Sequence, residues 1–138
     1  MRIRPAPHPP LRGTFSRREK DVEAEKLARL VTLTNDQHPD LTLILGDSVI
    51  QDVIGGHFMP PETCAHILGG LRARYGVFGV LGNHDGWLSA DRVKAAFDSN
   101  GIPTLVNETR TLAIAGGSVT LAGLADLMTR MVVRFICR

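Results

Sequence analysis

Cysteines, aromatic residues and long apolar runs are all scarce in this sequence of 138 residues. Its two cysteines, Cys64 and Cys137, form no CxxC motif and no metal-ligand spacing, which excludes a disulfide framework and favours a reducing compartment. No run approaches the roughly 18 apolar residues of a membrane span, and the proline-rich start lacks the apolar core of a secretory signal. We therefore expect a cytoplasmic domain. Because aromatic residues make up only 5%, aliphatic side chains must form most of its core.

Positive charge is concentrated at the start of the chain. The first 20 residues hold six basic side chains and one acidic side chain, although the net formal charge of the whole chain is only +2. Four prolines within residues 1–14 predict an extended arm over residues 1–16. Such an arm could contact phosphate or an anionic surface. No aromatic side chains alternate with its arginines to stack on bases, so we do not expect a nucleic-acid partner.

Helical and apolar strand patterns alternate along the rest of the chain. This order predicts an α/β sandwich in which two sheets are flanked by helices and the inner sheet is largely parallel. The predicted elements are a helix over 17–36, a strand over 41–45, a helix opening at 60–62, a strand over 77–81, a helix over 90–99 capped by Ser89, a strand over 104–106 and a hairpin around Gly116-Gly117.

Each of the first two strands runs directly into a glycine and a polar cluster. The first is followed by Gly46-Asp47 and the second by Gly82-Asn83-His84-Asp85. Because ligands of open α/β sheets bind beyond the carboxyl ends of the strands, we expect both clusters on one rim. Carboxylate, amide and imidazole groups suit Mg, Mn, Fe or Zn. Taken singly, each residue could equally be an ordinary turn or cap.

The two clusters together resemble a known family. Residues 45–49 and 81–85 are similar to the second and third motifs of calcineurin-like metallophosphoesterases, and the spacing of about 35 residues after buried strands fits. Residues 101–108 and 121–126 resemble the bacterial branch related to lipid-linked, cell-envelope phosphodiesterases. The resemblance covers residues 27–130, which indicates a partial phosphoesterase domain over residues 17–130.

The resemblance implies a role for each residue of the two motifs. Asp47 matches the carboxylate that bridges a divalent metal pair (Mn, Fe, Zn or Mg), and Asn83 matches a ligand of the second metal. His84 matches the histidine that contacts the phosphate and assists the leaving oxygen, and Asp85 matches the acid that orients this histidine. The implied activity is hydrolysis of a phosphodiester or phosphomonoester by metal-bound hydroxide. The resemblance also leaves peripheral membrane association open as an alternative to a purely cytoplasmic location.

Other motifs of the family have no match in this sequence. Residues 1–16 contain no aspartate for the first motif, Asp-x-His, and no histidine follows His84 to provide the later Gly-His-x-His. We therefore expect a domain truncated at both ends, without the first strand and the C-terminal part, and an atypical tail over residues 131–138. Two recognisable ligands fall short of the four to six that divalent sites use, so we expect weak metal binding and impaired catalysis. The alternative is an inactive relic or a binding module of the same fold.

Overall fold

The computed structural model describes residues 17–49 and 58–125. The arm over residues 1–16 and the tail over residues 131–138 lie outside these ranges. The described residues form, in chain order, α1 (Arg17–Asp36), β1 (Thr42–Ile44), α2 (Pro61–Leu68), β2 (Val77–Gly79), α3 (Asn83–Ser99), β3 (Glu108–Ile114) and β4 (Gly117–Gly123). The predicted helix over 17–36 and the proline-led start of the second helix are confirmed. None of these helices is long and apolar enough to cross a membrane.

The strands form two small sheets. β1 and β2 pair in parallel, with Thr42 opposite Val77 and Ile44 opposite Gly79. The predicted strand over 104–106 is reduced to one parallel bridge between Thr104 and Gly79. That region is held by two hydrogen bonds, from the Gly79 N–H to the Pro103 carbonyl at 3.0 Å and from the Leu105 N–H to the Gly79 carbonyl at 2.9 Å.

The second sheet is the hairpin that was predicted around Gly116-Gly117. β3 and β4 are antiparallel, and Ile114 pairs with Gly117, so the loop is Ala115-Gly116 and Gly117 already belongs to β4. Gly116 has a φ of +85°. A two-residue hairpin loop favours residues that tolerate positive φ, which explains why Gly116 lies in the loop and Gly117 begins β4.

The parallel strands lie between the helices and the hairpin. Ile44 and Val77 pack against the core cluster of the helices, which includes Val31, Leu68 and Phe97. Phe78 instead belongs to a second cluster, with Val80, Leu105 and Leu121 as buried members and Leu41, Leu43, Leu112 and Val119 packed against them. Alternate residues of a strand face opposite sides, so adjacent residues serve the two clusters. The result is a mixed α/β arrangement of three helices and two small sheets within the described ranges.

Helix α3 consists of two segments. Ser89 has non-helical angles, φ 175° and ψ 104°, and its Oγ accepts a hydrogen bond from the Arg92 N–H at 3.4 Å. The predicted cap therefore starts the second segment, as expected. The first segment begins at Asn83, seven residues before the predicted start of this helix at residue 90. The polar motif Asn83-His84-Asp85 is thus the first turn of a helix.

Candidate functional site

Two glycines bring the ends of β1 and β2 into backbone contact. A Cβ on Gly46 would lie 2.8 Å from the Cα of Gly82 and 2.8 Å from the carbonyl carbon of Leu81. A Cβ on Gly82 would lie 2.7 Å from the Cγ of Asp47. Gly46 also has a φ of +88°, which side chains rarely tolerate. The close approach therefore requires glycine on both strands.

Asp47 joins the two strand ends through its side chain. Its backbone adopts a left-handed conformation with φ +50°, which aspartate tolerates better than most residues. The exposed carboxylate accepts, through Oδ1, a hydrogen bond from the backbone N–H of His84 at 3.1 Å. This N–H lies in the first turn of α3, where backbone donors have no partner within the helix. Asp47 and the 83–85 segment are therefore neighbours on one rim.

Asp85 is completely buried and ties the loop after β1 to the start of α3. Its Oδ1 accepts from the Val49 N–H at 2.9 Å, and its Oδ2 accepts from the Gly82 N–H at 2.8 Å. Burial raises the pKa of Asp85, although hydrogen bonds from the amides of Gly82, Val49 and Ser48 act in the opposite direction. The nearby charge of Asp47 contributes a smaller upward shift to this pKa. The predicted role of orienting the His84 ring stays a prediction, since these two bonds reach backbone amides.

His84 contacts an aromatic side chain that the sequence did not single out. The imidazole and the Trp87 ring meet edge to face, with centroids 4.7 Å apart and planes at 66°. Trp87 is 59% exposed. The pair is separated by three positions on a helix, which brings two side chains onto one face. The contact between His84 and Trp87 could have been predicted only if the helix had been predicted to start at Asn83. Asn83 itself is half-buried at the start of that helix.

Cys64, to which the sequence assigned no role, lies beneath the rim. Its thiol is buried on α2 and donates to the carbonyl of Ser48, with Sγ 3.5 Å from the oxygen. Burial raises the pKa of Cys64 to about 11, and the negative charge of Asp85 adds to this shift. Cys64 is therefore a neutral thiol, and its hydrogen bond to Ser48 supports the loop that carries Asp47.

Cys64 should be almost inert towards thiol reagents in the folded protein. With a pKa of about 11, roughly one thiol in a thousand is ionised at pH 8, and only the thiolate attacks. In a Cys137→Ser background, labelling by Ellman's reagent at pH 8 should be at least about a hundredfold slower in buffer than in 6 M guanidinium chloride. The rate should increase as the pH is raised towards 11. Equal rates in the folded and unfolded states would contradict a buried Cys64 thiol.

The described residues do not fit a complete metal pair. Within residues 17–49 and 58–125, no three His, Cys, Asp or Glu side chains are grouped so that they could hold a metal ion. Asp47 and Asn83, the two predicted ligands, flank the same rim, but two groups are fewer than the four to six that divalent ions use. Backbone carbonyls, waters or residues outside these ranges would have to complete any metal shell.

One relative supports the resemblance at the level of the family name. No protein-family profile matches the chain. No solved structure matches it either. Over 105 residues, the chain is 31% identical to a protein of Bacillus subtilis (strain 168) named uncharacterized metallophosphoesterase YkoQ. The similarity covers 72% of this chain and 37% of that protein, so the chain spans little more than a third of its relative.

Proposed function

We propose that this chain belongs to the metallophosphoesterases and that its rim is the part of their active site where a phosphate ester binds. One contact carries the proposal: the Asp47 carboxylate accepts a hydrogen bond from the His84 N–H at 3.1 Å. Asp47 and His84 are 37 positions apart and belong to the two motifs that resemble the family. The similarity to a protein with a metallophosphoesterase name supports the same family.

Each residue of the rim would have a distinct role. Asp47 and Asn83 would hold metal ions together with further ligands. Such a metal pair would supply Lewis-acid chemistry, which activates water and offsets phosphate charge. The His84 imidazole would donate a hydrogen bond to the phosphate or to its leaving oxygen, where negative charge develops. Asp85 would hold the motif in place from beneath, through its bonds to Val49 and Gly82. The two small sheets would then be the inner part of the family's two-sheet sandwich.

Removal of His84 should abolish most phosphodiesterase activity. We expect the purified chain with Mn²⁺ to hydrolyse bis-p-nitrophenyl phosphate above a metal-only blank. His84→Ala should lower that rate by about a hundredfold or more, the usual contribution of a positioned proton donor. His66→Ala is the matched control, since His66 is an exposed histidine on α2. No turnover above the blank would reject the catalytic proposal for this chain.

A second candidate is a phosphate-ester binding module without turnover. It is favoured by the described residues, which do not bring three metal-ligating side chains together. Calorimetric titration with Mn²⁺ and Zn²⁺ separates the two candidates. Micromolar binding of two ions per chain would exclude the module. Ester binding without metal uptake or turnover would support it.

A further inference from the structure

We propose that Trp87 positions the His84 imidazole and forms the wall of a subsite for the aromatic group of an aryl phosphate ester. This inference rests on the proposed function, because it assigns a substrate class to the same rim. Trp87 is a positioning and specificity residue here, and it takes no part in bond making or breaking.

The exposure of Trp87 is the first observation behind this inference. Trp87 is the only tryptophan in the chain, and the residue is 59% exposed. Tryptophan is usually well buried, so a large exposed ring beside polar motif residues is informative. Leu45, at the end of β1 and next to the Gly46-Asp47 motif, is 69% exposed. One exposed apolar residue, Leu45, is thus adjacent to the first motif in sequence, and the other, Trp87, lies in the first segment of α3 and contacts His84 of the second motif.

The contact with His84 is the second observation. The rings meet edge to face with centroids 4.7 Å apart, an arrangement that aromatic pairs prefer over direct stacking. One face of the Trp87 ring is not needed for this contact with His84. The backbone N–H of His84 is fixed by Asp47, so the contact with Trp87 restrains the remaining freedom of this residue, which is the rotation of its side chain.

The break in α3 explains why Trp87 remains beside the rim. The first helical segment ends at Ser89, where the backbone is extended. Trp87 therefore belongs to the short segment that the carboxylates of Asp47 and Asp85 tie to the strand ends. A ligand whose phosphate reaches His84 would place its ester substituent beside Trp87. Planar aromatic groups stack favourably on tryptophan, whereas a methyl ester offers little surface.

The ring contact is tested without any ligand. In the full chain, the His84 ring-proton resonances should be displaced by the Trp87 ring current, and Trp87→Leu should remove the displacement. Spectra of His84→Gln assign the signals. Leu33→Ala, which removes a 55% exposed side chain from α1, should leave them unchanged. Unchanged His84 resonances in Trp87→Leu would overturn the positioning role.

The subsite is tested with phenyl phosphate and methyl phosphate as probes, titrated by amide NMR in the presence of diamagnetic Mg²⁺. We expect phenyl phosphate to bind about tenfold more tightly, as one stacked ring would give. Trp87→Leu should bring the ratio close to one, whereas Trp87→Phe should retain most of it.

The outcomes distinguish this inference from the proposed function. Equal affinities in the unmodified chain, or a preference that persists in Trp87→Leu, would overturn the subsite. Hydrolysis of bis-p-nitrophenyl phosphate that depends on His84 would leave the proposed function standing in either case. Binding of neither probe, together with no hydrolysis, would overturn both.

Discussion

Replacing Gly46 with alanine should lower the free energy of unfolding by about 3 kcal/mol or more. The added Cβ would lie 2.8 Å from both the Gly82 Cα and the Leu81 carbonyl carbon. Both are backbone atoms, so no side chain can rotate to relieve the overlap. The φ of +88° adds the cost of a left-handed conformation. Because Gly46 precedes Asp47, relief by backbone movement would separate Asp47 from His84.

Gly101 serves as a control that separates the cost of steric overlap from the cost of the left-handed conformation. Gly101 also has a positive φ, +78°, but a Cβ there would have no atom within 4 Å. Gly101→Ala should therefore cost only about 1 kcal/mol, for the conformation alone. Urea unfolding followed by circular dichroism would give both values. Equal losses for the two variants would contradict the close approach of the strand ends.

Replacing Asp85 with asparagine should lower the free energy of unfolding by about 2–3 kcal/mol. The buried carboxylate accepts one hydrogen bond on each oxygen, from the amides of Val49 and Gly82. Asparagine has only one acceptor oxygen, and its NH₂ group would face a second donor. One buried backbone N–H would then lose its partner, and the loop that carries Asp47 would be released from α3.

Asp91→Asn is the control for this substitution. Asp91 lies on the same helix and its side chain is exposed, so its neutralisation should change stability by less than about 0.5 kcal/mol. Equilibrium unfolding of both variants at pH 7 measures the difference. If Asp85→Asn were as stable as Asp91→Asn, the carboxylate could not be what holds the rim together.

The helices and the hairpin were predictable because their patterns are local. The apolar periodicity of residues 17–36 and the proline pair at Pro60-Pro61 gave two helices, and Gly116 marked the hairpin. The start of α3 was missed because glycine, asparagine and aspartate usually indicate a turn. A helix begins there because the carboxylates of Asp85 and Asp47 accept from the backbone amides of Gly82 and His84. Asp47 lies far away in sequence, so no local pattern shows its contribution.

The rim was predictable from topology, but its contacts were not. Parallel strands end at the same edge, which places Asp47 near residues 83–85 without knowledge of any side-chain direction. The position of Cys64 beneath Ser48 depends on how α2 packs against the loop, and the contact of Trp87 with His84 depends on the unexpected first segment of α3. These features arise from tertiary packing, which spacing in the sequence does not encode.

The most direct test of the rim as a phosphoesterase site is the rate of bis-p-nitrophenyl phosphate hydrolysis during a Mn²⁺ titration. The unmodified chain should be compared with Asp47→Asn, which retains an acceptor for the His84 N–H but removes the charge. We predict a rate that rises with Mn²⁺ and saturates in the unmodified chain. The rate should fall by about 10–100-fold in Asp47→Asn, because loss of a group that supports a bound metal commonly has an effect of this size. A rate equal to the metal blank, or the same rate in Asp47→Asn as in the unmodified chain, would contradict the proposal that the rim is a phosphoesterase site.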